Sequence, residues 1–283
     1  MPFVLTGGAW PFTDDDFVGA VGDIMTAQAS AMGFAPDGDI TVVLLEGASH
    51  SSGGTVEGDV ITVYPDPGVD LFRRDPESLR LLAHEHFHLW NGRHAAGDPS
   101  REGRYKWLQE GLTEYMAYRS LVTAGFVEPG DFVFKVNQFI DTYLQNPRAL
   151  SATADTLEHR YWEHQDYQRL PYDKGFLLGL TLDARIQELT DGRADIVDYL
   201  KVVIRPSRHG YYDDDVLLAA LEETAPAAQG AWDSFYGAYM LGAAPLPLEE
   251  LCRDAGFDCG GDGDAVKLEA TERTRRAMER LLR

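Results

Sequence analysis

The chain has 283 residues, 44% hydrophobic and 25% charged, which excludes disorder for its bulk and leaves room for a sizeable core. Its 25 Lys and Arg face 46 Asp and Glu, a net charge of −21. Such a surface repels phosphate backbones and anionic lipid, so neither nucleic acid nor a membrane is an expected partner.

Read in chain order, the first part is mixed α/β. Phe3–Leu5 is a short strand, and Thr13 caps a helix over 13–32 whose first turn carries Asp residues. Two buried-type strands follow at 40–45 and 60–64, separated by a Gly/Ser-rich loop or hairpin at 48–59. Helices dominate from 75 onward. The first spans 75–92, with Pro76 in its first turn and Gly92 as its C-cap. Others are expected at 104–125, 131–146 and 173–192, then at 194–204, 212–223 and 229–240. The stretch 244–250 reads as a connector, and the charged tail as surface-lying. The organisation is therefore an N-terminal α/β lobe over 1–72, a helical lobe over 73–261 and a charged tail over 262–283.

No apolar run reaches the roughly 18 residues that a spanning helix needs. The opening MPFVLTGGAW lacks the basic start and long apolar run of a signal peptide. Cys252 and Cys259 are spaced for a small disulfide loop, and two free thiols fit equally well. The disulfide would place the chain in the periplasm or outside the cell, free thiols in the cytoplasm.

The chemistry concentrates in His84-Glu85-His86-Phe87-His88, an H-E-x-x-H pattern on a helix. Residues four apart share a face, so His84 and His88 can point at one zinc ion while Glu85 reaches a water on it. Leu81, Leu82, Phe87, Leu89 and Trp90 make the helix largely buried, an expensive place for three histidines and a glutamate unless something satisfies them. His86, two residues from each metal-facing histidine, points elsewhere.

Glu110, in W-L-Q-E-G on the next amphipathic helix, is the favoured third ligand. Three protein ligands with an open position are the catalytic arrangement of zinc. Glu114, one turn on, is placed to hydrogen-bond a ligand histidine. His94 is the rival: it has metzincin spacing from His88, but Asn91 stands where that motif needs Gly.

The blocks HEHFHLWN (84–91), WLQEGLTEY (107–115), YDKGFLLGLTLDARIQELTDG (172–192), GYYDDDVLLAALEE (210–223) and LPLEELCRDAGF (246–257) resemble, in order and spacing, the catalytic region of the glycyl aminopeptidase family of gluzincin metallopeptidases. The resemblance implies an α+β, thermolysin-like fold and hydrolysis of peptide bonds in peptide or protein substrates by a water on one zinc ion. His84, His88 and Glu110 would be ligands, Glu85 the general base and Tyr172 the donor to the tetrahedral oxyanion. Glu57, in GGTVEGD (53–59), is the candidate for binding a substrate's free amine, as in related aminopeptidases. The segment after H-L-W-N is shorter than in that family, and nothing in the chain resembles the family's β-rich and PDZ domains.

Two other readings stay open beside this one. One is a non-catalytic peptide-binding module on a decayed peptidase; the other is a structural zinc site, which needs a fourth ligand. His50, His159, His164 and His209 read as loop histidines, with His159 and His164 as candidates to border the cleft. Arg160 and Arg169 are candidate partners for a peptide carboxylate. Exo- or endo-cleavage and oligomeric state are not readable from the residues.

Overall fold

The computed structural model describes residues 3–6, 10–46, 52–65, 77–205, 211–228, 230–261 and 266–282. Pro76, His50, His209 and part of the 48–59 loop lie outside the described residues. In chain order the elements are β1 (Phe3–Thr6), α1 (Asp14–Met32), β2 (Thr41–Leu44), β3 (Gly53–Glu57), β4 (Val60–Tyr64), α2 (Glu77–Phe87), β5 (Ala96–Gly97), α3 (Glu102–Lys106), a π-helical turn (Trp107–Leu112) and α4 (Thr113–Thr123). There follow α5 (Pro129–Gln145), α6 (Ala154–Arg160), α7 (Gln165–Leu189), α8 (Ile196–Ile204), β6 (Tyr211–Tyr212), α9 (Asp214–Thr224), α10 (Ala231–Phe235), α11 (Leu248–Ala255), β7 (Cys259–Gly260), β8 (Lys267–Leu268) and α12 (Glu272–Leu281). No helix among the described residues is long and apolar enough to cross a membrane.

Contacts divide the chain into two units, residues 1–90 with 116–131, and residues 91–115 with 132–283. The sequence-based division at 72 and 261 followed the order of the expected elements; the contact-based one runs through α4. In the first unit, β1, β2 and β4 are parallel and β3 closes the sheet antiparallel to β4, giving the order β1-β2-β4-β3. Val42, Leu44, Ile61 and Val63 alternate onto one buried face. Gly58, at φ 59, takes the left-handed position in the β3–β4 turn. Thr13 and Asp16 form the capping box of α1, and Gly33 ends it at φ 79. Phe17, Ala20, Val21, Ile24 and Gln28 form its buried stripe. Helix α2 packs on α1, β3 and β4.

In the second unit the π turn lies against α7. A Cβ on Gly175 would run into the Trp107 carbonyl, and one on Gly111 into that of Pro171. Only glycine lets the two backbones approach so closely. Phe139 stacks on Phe176 at 3.8 Å between ring centres, Tyr115 and Phe132 both meet Phe176 edge-on, and Tyr115 lies tilted against Phe132. Buried Asp183 accepts from the Tyr115 hydroxyl (2.6 Å), Gln187 and the Ile196 amide, tying α4, α7 and α8 together. Cys252 and Cys259 form a disulfide.

Three expectations need correction. Helix α2 stops at Phe87, five residues before Gly92, because its last turn tightens: Leu89 and Trp90 donate to carbonyls three residues back. Helix α7, expected from 173, begins at Gln165, capped by the His164 side chain, and holds Pro171 inside it. Helix α12 is no solvated tail; Thr274, Ala277, Met278 and Leu281 make a buried face, and Gln187 donates to the Leu281 carbonyl.

Candidate metal centre

His84 and His88 lie either side of the end of α2. The His88 amide still donates to the His84 carbonyl at 3.3 Å, so the one-turn spacing survives where the helix tightens. The two rings stand edge-on at 4.8 Å, with Nε2 atoms 3.2 Å apart. Two nitrogens bound to one tetrahedral zinc at about 2.0–2.1 Å lie roughly 3.3 Å apart, so the pair is already spaced for a shared ion. His84 is buried and His88 half-buried.

His86 faces away from this pair. Its Nδ1 meets the Gln28 Oε1 at 2.6 Å, and its ring stands edge-on to Trp90. Gln28 in turn donates to the Ala83 carbonyl and the Ser120 hydroxyl. Burial pushes the His86 pKa down to about 4, so the ring stays neutral in the packed core. Glu85 is buried against β3, and a Cβ on Gly54 would come within 2.6 Å of its Cγ. Gly54 of the hairpin thus makes room for the Glu85 side chain, whereas a Cβ on Gly53 would meet Tyr64. Strand alternation turns Glu57, three residues on, to the opposite face from Gly54, at the exposed turn end of the hairpin about 10 Å along. Glu57 is not brought to Glu85.

Glu110 lies inside the π turn, a local widening of the helix that is frequent at functional sites. Asn91 helps fix that turn. Its side-chain amide donates to the Leu108 carbonyl (2.8 Å) and the Thr113 hydroxyl (3.0 Å), and its oxygen accepts from Tyr212 (3.2 Å). Asn91 is 1% exposed, which explains why H-L-W-N carries no glycine at this position. Both Glu110 oxygens are engaged: Oε1 accepts from Lys106 Nζ at 3.1 Å and Oε2 from the Tyr172 hydroxyl at 2.9 Å. Burial, then the Glu110 charge, raises the Tyr172 pKa well beyond the ordinary phenol range, so the hydroxyl keeps its proton. Glu114 is buried one turn further along the helix.

His84, His88 and Glu110 each offer a ligand atom, and these atoms lie within 4.8 Å of one another. Two imidazoles and a carboxylate match an open zinc site, and among the described residues the group has three members, with no fourth ligand and without His94. Arg160 pairs with Glu163, and Arg169 makes a forked pair with Asp173, which gives each guanidinium a carboxylate within the chain. Sequence reasoning missed Lys106 and Asn91. A Glu-x₃-Lys-x₃-Glu spacing at 102–110 signalled the first, and the Asn of H-L-W-N the second.

Residues 77–177 match the family model of the M61 glycyl aminopeptidases. No curated protein matches the chain. Among solved structures, an aminopeptidase N family protein from Idiomarina loihiensis is 17% identical with a TM-score of 0.68, covering 95% of this chain and 50% of that one. An M1 zinc metallopeptidase from Deinococcus radiodurans is 16% identical with a TM-score of 0.56, covering 87% and 49%. A mutant of the Deinococcus enzyme bound to a Tyr-Ser-Ala substrate is likewise 16% identical, with a TM-score of 0.52 over 86% and 48%. The chain spans about half the length of these structures. The resemblance read from the sequence is thus matched over residues 77–177, which are similar to the M61 glycyl aminopeptidases, and the fold is shared with M1 metallopeptidases.

Proposed function

We propose that the chain is the catalytic region of a zinc-dependent metallopeptidase that hydrolyses peptide bonds in an aminopeptidase-like manner. The observation that carries this reading is the gathering of His84, His88 and Glu110, with Glu85 adjacent in sequence to His84. Zinc, when bound, supplies a Lewis acid that lowers the pKa of water toward about 7. Glu85 takes the proton from the attacking water and delivers it to the leaving amine. Tyr172, kept protonated by burial, swings its hydroxyl from Glu110 to the developing oxyanion. Glu114 supports a ligand histidine. Glu57 is the proposed contact for a substrate amine, and that role requires the hairpin tip to turn its outer face toward the substrate. The disulfide supports a periplasmic or secreted location.

The test is hydrolysis of an aminoacyl-arylamide panel and an internally quenched endopeptide, with and without chelator. Chelator-sensitive cleavage restored by zinc supports the reading, and the preferred class of substrate separates exo- from endo-cleavage. A zinc-loaded protein that binds these peptides without cleaving them is a binding module instead.

A further inference from the structure

We infer that Lys106 is a positioning residue that holds Glu110 ready as a metal ligand, an inference that rests on the zinc-peptidase reading. Lys106 is 7% exposed, and its ammonium sits between two carboxylates of its own helix, Glu102 at 2.8 Å and Glu110 at 3.1 Å. The Tyr161 ring lies 5.6 Å from the same nitrogen. A lysine is rarely buried unless paired, and replacing a buried ion pair with apolar side chains is often neutral or stabilising. Helix stability alone therefore does not account for a cation at this position.

The hydrogen-bond geometry does account for it. A carboxylate has about four lone-pair sites. Lys106 occupies one on Oε1 and Tyr172 one on Oε2, which fixes the carboxylate plane from both ends. A free glutamate side chain has several rotamers to lose on binding, and Lys106 removes that freedom beforehand. The two carboxylates on Lys106 are not equivalent. Glu102 is 45% exposed and Glu110 11% on their side chains, so the outer glutamate anchors the lysine while the inner one is aimed by it. Tyr172 must leave Glu110 to serve the oxyanion, so Lys106 is the partner that keeps its hold throughout turnover.

The experiment measures zinc affinity by chelator competition for the wild type, Lys106→Met and Lys106→Gln, beside Glu110→Gln, with thermal melting of each zinc-free protein as a folding check. The methionine keeps the bulk and loses the donor; the glutamine keeps a donor without charge. We expect Lys106→Met to weaken zinc binding about 10- to 100-fold and to lower the zinc-free melt, because Glu110 loses its buried partner, and Lys106→Gln to recover most of both losses. Both variants binding zinc as tightly as the wild type, or more tightly, overturns the proposal and leaves Lys106 a helix ion pair. Should either variant melt early, Glu102→Gln, which loosens the anchor from the exposed side, is read for the same weakening, and its absence there overturns the proposal. A wild-type protein that binds no zinc defeats the parent reading instead, and Glu110→Gln as tight as wild type defeats the ligand assignment.

Discussion

The two stretches that supply the proposed ligands are built on different physics. The histidine stretch, α2 and its tightened end, is held by neutral packing: His86 lies among Gln28, Trp90 and an apolar core, and its neighbours fix the ring without charge. The carboxylate stretch, α3 and the π turn, is held by charge and by backbone contact. Lys106 is buried between Glu102 and Glu110; burial works to lower its pKa, but the carboxylates outweigh that and raise it. An imidazole ligand must be neutral to bind a metal, and a carboxylate must be ionised. The first stretch packs His86 as a neutral ring, and the second sets the Glu110 carboxylate beside a buried cation.

The largest expected effect tests the proposed base on the histidine stretch. Glu85→Gln should reduce peptide hydrolysis at least about 100-fold while zinc content stays at the wild-type level, measured by kcat and metal analysis. Retained activity in a metal-loaded variant removes Glu85 as the base. On the ligand side, Glu110→Gln should weaken zinc retention by at least about 100-fold, whereas His94→Ala leaves it unchanged; the reverse pattern restores the metzincin reading.

The neutral stretch predicts a pH dependence. The His86 pKa is depressed from 6.5 to about 4 by burial. Above pH 6.5 the ring is neutral in folded and unfolded chain alike, and stability is full. As the pH falls from 6.5 toward 4 the unfolded chain takes up a proton that the folded one refuses, so stability drops by up to about 3 kcal/mol. Denaturant melts of zinc-free protein should show that slope, and His86→Gln should flatten it. A slope identical in both proteins means that His86 is not the group responsible.

The backbone contact of the charged stretch is tested by Gly175→Ala, which should destabilise by about 1–3 kcal/mol because the new methyl meets the Trp107 carbonyl. A neutral result means the two helices are free to separate. Cys252→Ser with Cys259→Ser, far from either stretch in sequence, should cost about 2 kcal/mol for so short a loop and leave zinc affinity unchanged.

The neutral stretch was more legible in the sequence than the charged one. H-E-x-x-H between apolar residues reports its own helix and face, because both are set by local periodicity and burial. Thr13 with Asp16 and the strands at 41–44 and 60–64 were readable for the same reason. The π turn was not, since nothing in W-L-Q-E-G separates a π from an α turn; it depends on Asn91 reaching Leu108 across 17 residues. The helix expected from 173 starts eight residues earlier, at Gln165, with Pro171 inside it. Glu110 was found from spacing and resemblance, but its partner Lys106 reads as an ordinary surface ion pair until its burial is seen.

The central claim is that one ion is held by two histidines of one stretch and a glutamate of the other. X-ray absorption at the zinc edge on the purified, desalted chain, run with metal analysis, tests it directly. The account predicts one zinc per chain with two imidazole nitrogens, a carboxylate oxygen and a further light-atom ligand, and loss of that signal in Glu110→Gln. A chain that retains no zinc, or a centre unchanged by Glu110→Gln, contradicts it.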